Sequence, residues 1–315
     1  MLIGNQPWIE SPFFYEIVKS KGLSKEQEQI AVDYHKNGYV VISGLFQEKL
    51  IDDVKNEVEE KGFDFKKKIK RRDERRLQDF WLRSDLVSAL AASPAIMEVL
   101  TMLYGRKAIP FQTLNFRLGS QQRAHSDTIH FSSLPARFMC GVWVALEDIT
   151  EQNGPVFYYP GSHKLPEYNF SDILPSVKTP SYEEDYMAYE DFIEHIIQAN
   201  ELTPQHFLAK KGDALIWSSN ILHGGAPVKD PDTTRWSQVT HYFFEDCYYY
   251  TPMLSNMITG ELYIRNNLTN IATGEKIEQR YNGQQLYPVQ SAKNLYVLRD
   301  KPERSFWDKL TGPRT

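Results

Sequence analysis

The sequence is poor in cysteine, in long apolar runs and in positive charge, and each shortage removes a class of explanation. Cys140 and Cys247 are the only thiols in 315 residues, and they are not spaced as a Cys-x-x-Cys pair. Two such residues make neither a disulfide framework nor a redox motif, and we read both as small buried side chains. No apolar run approaches the length needed to cross a bilayer, and Met1 to Glu10 lacks the basic and apolar segments of an export signal. The expectation is therefore a soluble, cytoplasmic protein without a membrane partner. A net charge of -5 gives no general attraction to nucleic acid. The 41% hydrophobic content suffices for one large core, so we read residues 1–315 as a single domain.

What is present changes character along the chain. Residues 1–22 carry Trp8, Phe13, Phe14 and Tyr15 and read as an irregular arm packed on the body. Ser24 with Gln27 forms a capping-box pattern that opens a helix to about Asn37, with Gly38 as its stop. Tyr39 to Ser43 is β-branched and short, a strand. Leu50, Ile51, Val54 and Val58 recur at helical intervals before Gly62, and Ser93-Pro94 opens another helix that Gly105 ends. Between them lies a basic run, from Lys66 to Arg76, broken by Asp73 and Glu74. We read it as a solvated face, with steering of an anionic substrate as the minority alternative.

From Pro110 the period shifts toward strands: Phe111 to Leu118, Arg137 to Asp148, Val156 to Tyr159, Gly212 to Trp217 and Arg235 to Phe244. No strand-helix-strand alternation appears, so the pattern predicts an antiparallel barrel or jelly roll, mainly β with flanking helices. The organisation we expect is a mostly helical part over 1–109, a β core over 110–245 and a C-terminal extension over 246–315. The core is interrupted by a polar insertion over 164–211 with a helix near Glu184 to Asn200. Strand-like pieces at Glu261 to Arg265 and Asn294 to Leu298 suggest no chemical role.

The candidate chemistry starts at His125-Ser126-Asp127. On extended backbone alternate side chains share a face, so His125 and Asp127 can hold one ion while Ser126 points elsewhere. The third ligand must come from another strand, and His223 is the candidate. Two imidazoles and a carboxylate make the facial triad of non-haem iron(II) oxygenases, with positions left open for other ligands. The same three side chains with a water would also make a catalytic zinc site, so a zinc hydrolase stays open, as does a non-catalytic binding protein. His130 and His241 read either as pocket walls or as core, and Trp143 and Trp217 as barrel core.

The segment Gly141 to Thr150, then Asn153-Gly154-Pro155 and Pro160-Gly161-Ser162-His163, resembles the phytanoyl-CoA dioxygenase-like family of iron(II)/2-oxoglutarate oxygenases. The likeness runs in order from Gly38-Tyr39-Val40 through Gly212-Asp213-Ala214 to His223-Gly224 and Arg235. It implies a double-stranded β-helix, a cupin-like jelly roll, with Fe(II) on His125, Asp127 and His223. It also implies 2-oxoglutarate and O2 as co-substrates, with Arg235 pairing the distal carboxylate and Gln112 and Asn115 near the pocket. Arginine suits that task because its planar fork makes two charge-assisted hydrogen bonds to a carboxylate. Ser237, two residues on, shares the Arg235 face on a regular strand and could touch the same carboxylate.

Two departures from the family pattern stand out. Many members have serine two residues after the distal histidine, where this chain has Gly225, and the interval from His223 to Arg235 is longer. A turn at Lys229 to Asp232 can absorb the added length. The resemblance further implies hydroxylation of a small molecule with release of succinate and CO2. The carboxylate at Asp127 disfavours halogenation. Neither the substrate nor the oligomeric state is legible.

Overall fold

The computed structural model describes residues 5–63, 76–173 and 182–302. The basic run at 66–75 and the prolines at 175 and 180 lie outside the described residues. The front of the chain is helical. Helix α1 (Phe14–Ser20) leads to α2 (Lys25–Asn37), whose Ser24 hydroxyl accepts from the Gln27 amide while the Gln27 side chain accepts from Ser24 N, and Gly38 closes it in the left-handed conformation.

The opening arm is ordered rather than irregular. Trp8 and Phe14 are buried and stacked, and Phe14 stacks in turn on His35 of α2. Helix α3 (Glu48–Gly62) also departs from expectation, because Gly62 is its last helical residue and Phe63, in extended backbone, is the cap. Helices α4 (Asp85–Ala91) and α5 (Pro94–Tyr104) form an apolar stretch of 20 residues, long and apolar enough to span a bilayer by composition, contrary to the sequence reading. Proline at its first turn starts α5 anew after Ala92 and Ser93. Val87, Leu90, Ile96, Leu100 and Leu103 then pack into the main core.

The β core is two antiparallel sheets facing one another. Its strands are β1 (Tyr39–Ile42), β2 (Arg76–Gln78), β3 (Ala108–Phe116), β4 (Ser132–Leu134), β5 (Met139–Ala145), β6 (Val156–Tyr158), β7 (Gln205–His206), β8 (Ala214–Ser218), β9 (His223–Gly225) and β10 (Ser237–Phe244). The larger sheet runs β1-β8-β5-β10-β3-β2 and the smaller β7-β6-β9. Strands β3, β5, β8 and β10 are buried along their whole length. One of their faces meets the helices, the other an inner cluster that includes Leu114, Trp143, Val156, Trp217 and Val239. This is the double-stranded β-helix with helices outside it, the expected fold.

Two further regions reach the interior. Helices α6 (Phe170–Ile173) and α7 (Tyr182–Ala199) of the insertion form a third apolar cluster with Ala124, Ile129 and Leu222. After β10 come β11 (Tyr248–Tyr250), paired with β4, and a hairpin of β12 (Tyr287–Ala292) and β13 (Leu295–Arg299). Glu261 to Arg265 is not a strand. It is held by single bridges from Ile264 to Tyr250 and from Leu262 to Tyr296.

Candidate metal centre and its cavity

The β3 strand and the loop after it carry the chain to His125, which bridges to His223 at the head of β9 with reciprocal backbone hydrogen bonds of 2.9 and 3.0 Å. Asp127 then begins a short 3-10 turn, but Ser126 before it is extended (φ -111, ψ 142), so the two-residue alternation still turns His125 and Asp127 the same way. One ligating atom from each of His125, Asp127 and His223 lies within 4.8 Å of the others, and all three are buried.

The donors are oriented from behind. His125 Nδ1 is 2.9 Å from the Arg123 carbonyl and His223 Nδ1 is 3.1 Å from the Ile221 carbonyl. A ring that donates through Nδ1 keeps its Nε2 lone pair for a metal, so the backbone selects the ligating tautomer in both rings. Burial and the neighbouring His223 push His125 well below the usual imidazole range, which keeps it neutral. For Asp127, burial opposes ionisation, but the three imidazoles and the Trp217 N–H outweigh it and hold the carboxyl down at about 2. Trp217 donates to Asp127 Oδ2 at 2.8 Å, while Oδ1 faces His223 Nε2 at 3.8 Å. Gly141 makes that possible: a Cβ there would stand 2.6 Å from the Trp217 indole nitrogen.

The triad opens into a cavity of about 420 Å³, within the range of small-molecule sites. At one end lies Arg235. Its amide is fixed by the Arg117 carbonyl at 2.7 Å, just before β10, and the expected turn closes with Thr233 N bonded to the Asp230 carbonyl at 3.2 Å. The guanidinium is 2% exposed, packed over the Phe116 and Trp143 rings at 5.3 and 5.6 Å. Burial lowers it to about 10 against the pull of Glu147, so it stays charged at neutral pH. Arg235 Nε and Trp143 Nε1 are buried donors without an acceptor. Orphaned donors of this kind are costly unless a ligand satisfies them.

The remaining sequence candidates divide. Gln112 lines the cavity and bonds His241 Nδ1 at 3.1 Å, and His241 Nε2 is 3.8 Å from Asp127. Asn115 does not reach it. On β3 the cavity is lined by Gln112, Leu114 and Phe116, so Asn115 points to the opposite face and bonds Gln238 at 3.0 Å. Strand alternation itself forbids Gln112 and Asn115 one face. Ser237 is fully buried and is not part of the cavity lining, and its hydroxyl lies 3.5 Å from the Arg235 carbonyl.

Gly225 is explained by Ser120, whose hydroxyl fills the space a side chain at 225 would need. His163 is bound to the His35 carbonyl at 3.1 Å and takes no part in the cavity, whereas His130 lines it against Tyr186 of α7.

Sequence reasoning missed several walls. Trp143 and Trp217 belong to the inner core, as the sequence suggests, but both also line the cavity, which only the pairing geometry shows. Tyr186 comes from the insertion, and Thr251, Met253, Tyr263 and Arg265 from the extension.

Comparison with known proteins agrees with this geometry. The phytanoyl-CoA dioxygenase (PhyH) family model matches residues 34–235, more than half of the chain. A probable phytanoyl-CoA dioxygenase of Caenorhabditis elegans is 28% identical over 147 residues, 44% of this chain and 41% of that protein. The chain thus spans about two fifths of the length of the curated relatives it matches.

Among solved structures, the non-heme alpha ketoglutarate dependent carbocyclase SnoK from nogalamycin biosynthesis has a TM-score of 0.56 at 16% identity, covering 82% of this chain and 95% of that one. The epimerase SnoN, in complex with Fe3+, alpha ketoglutarate and nogalamycin RO, has a TM-score of 0.54 at 19% identity, covering 71% and 86%. At such identities these structures establish the jelly-roll fold. The family model, matched from Tyr34 to Arg235 across the bridged histidines, places the chain in the phytanoyl-CoA dioxygenase family.

Proposed function

We propose that this chain is a non-haem iron(II)/2-oxoglutarate-dependent oxygenase that hydroxylates a small-molecule metabolite. One observation carries the reading: the buried, unsatisfied donors of Arg235 and Trp143 share a cavity with a ligand set of two histidines and a carboxylate. A zinc hydrolase has use for the ligand set but none for a sealed guanidinium beyond it, and a binding protein has no use for ligands oriented through two backbone carbonyls.

His125, Asp127 and His223 would hold iron(II), which with 2-oxoglutarate and O2 supplies the oxidising power for C–H hydroxylation and releases succinate and CO2. The protein's own work is orientation and exclusion of water. The Arg123 and Ile221 carbonyls aim the imidazoles, and Trp217 occupies one carboxylate oxygen of Asp127 and leaves the other for the metal. Arg235 and Trp143 offer N–H donors to a carboxylate where water competes poorly. Phe131 and Val239 keep the cavity partly apolar.

The test is oxygen-dependent succinate formation from 2-oxoglutarate by the iron-loaded protein. Asp127→Ala is expected to bring it to background. Turnover that survives this variant, or that proceeds without 2-oxoglutarate, ends the reading.

A further inference from the structure

The cavity holds more positive charge than iron and 2-oxoglutarate require. Arg235 and Arg265 line it, and among the described residues Asp127 is the one carboxylate in its lining, in a chain whose net charge is -5. The dianionic co-substrate offsets the metal dication, and Asp127 offsets one guanidinium.

Arg265 is the informative member. It comes from the C-terminal extension, and its guanidinium sits over the Phe131 ring at 4.9 Å and the Phe111 ring at 5.8 Å. Nη1 donates to Thr251 Oγ1 at 2.9 Å, and Nε is buried without a partner. Among the described residues it makes no ion pair. Asp79 acts on it only from a distance, its Oδ1 already accepting from the Trp81 indole and the Thr113 amide at 3.2 Å each. Burial lowers its proton affinity, as expected of a cation without a counter-ion. The same two rings pack on His241, at centroid distances of 4.9 Å for Phe131 and 6.2 Å for Phe111, which places the Arg265 guanidinium on the His241 side of the triad.

A partly buried arginine that no acid among the described residues neutralises is costly unless a ligand supplies the anion. We propose that Arg265, oriented by Thr251, anchors a carboxylate or phosphate carried by the substrate, so that the enzyme acts on anionic small molecules. This rests on the oxygenase reading for the word substrate, whereas the anion site itself does not. Phe131, Met253 and Leu254 line the same cavity and provide apolar surface for the rest of such a molecule.

Hexanoate, hexyl phosphate and neutral hexanamide are suitable probes, titrated by tryptophan fluorescence into the iron(II) protein under argon, with and without saturating 2-oxoglutarate. Trp143 and Trp217 are the reporters in the cavity wall. Hexanoate or hexyl phosphate is expected to bind alongside 2-oxoglutarate and hexanamide to fail, the preferred anion distinguishing a carboxylate from a phosphate substrate. Arg265→Gln should weaken that anion by about thirtyfold or more, with 2-oxoglutarate affinity measured by calorimetry unchanged.

Equal binding of hexanamide, or anion affinity within about twofold of wild type in Arg265→Gln, overturns the proposal. If Arg265→Gln does not fold, Arg265→Lys decides, because it keeps the charge and loses the planar fork: about fivefold weaker hexanoate is expected, and unchanged affinity overturns the site. Wild-type protein that binds the anion but not 2-oxoglutarate would instead refute the oxygenase reading and leave the anion site standing.

Discussion

The two ends of the cavity each present a guanidinium without an acid partner among the described residues, and they are built by different means. Arg235 enters from the residue pair just before β10, is sealed at 2% exposure, and lies against rings of β3 and β5, the two strands that flank β10 in the larger sheet. Arg265 sits on an irregular segment held by single bridges and is partly exposed. A rigid sheet frame suits a ligand that never changes, such as a co-substrate. An irregular segment can be altered without disturbing the ladders and suits the partner that varies from one enzyme to the next.

The comparison breaks most directly at the arginines. Arg235→Gln is expected to raise KM for 2-oxoglutarate roughly a hundredfold, since it leaves a desolvated carboxylate facing a neutral amide. Arg235→Lys should recover little of that, because an ammonium cannot reproduce the planar fork between the Phe116 and Trp143 rings. Arg265→Gln should leave the same KM within about twofold. Initial rates against 2-oxoglutarate concentration decide it, and a large effect at 265 with a small one at 235 would reverse the two ends.

A smaller effect is expected between the ends, at the metal. Trp217→Phe keeps the ring against Gly141 and removes only the N–H that donates to Asp127 Oδ2 at 2.8 Å. Iron(II) affinity, measured against a competing chelator, should fall about tenfold, the low end for loss of a ligand-orienting partner. KM for 2-oxoglutarate at saturating iron should hardly change. An unaltered metal affinity would mean that the backbone-held imidazoles alone set the geometry.

The same contrast explains what could be read in the sequence. The His125 and Asp127 pair, the Ser24 and Gln27 cap and the Ser93-Pro94 start are local patterns whose physics is complete within a few residues. Strands β3, β5, β8 and β10 of the larger sheet are visible as apolar runs because both their faces are covered, whereas β2, half exposed at the sheet edge, is not. Gln112 and Asn115 were placed together by resemblance, and alternation along β3 separates them.

Arg265, Thr251 and Tyr186 were not legible. Each reaches the cavity through tertiary contacts, the bridges of Ile264 to Tyr250 and Leu262 to Tyr296 or the docking of α7, where Tyr189 carries no local signal yet its hydroxyl accepts from Ser126 N at 3.2 Å. The N-terminal arm reads from sequence as packed on the body, but its helix does not, since α1 has no side-chain cap and is held by Phe14 stacking on His35.

The smallest expected effect concerns Ser237, which by alternation shares the Arg235 side of β10 and by sequence alone is a candidate for the same carboxylate. Its hydroxyl is fully buried, lies outside the cavity lining and makes one long contact of 3.5 Å to a backbone carbonyl. A bond of that length contributes little, so Ser237→Ala should change stability by less than about 1 kcal/mol. KM for 2-oxoglutarate should stay within about twofold of wild type, because no donor in the cavity is lost. Thermal unfolding and initial rates on the same preparation test both parts. A KM rise of tenfold or more with an unchanged midpoint would put the hydroxyl on the co-substrate after all, from the face of β10 that Val239 and His241 already turn toward the cavity.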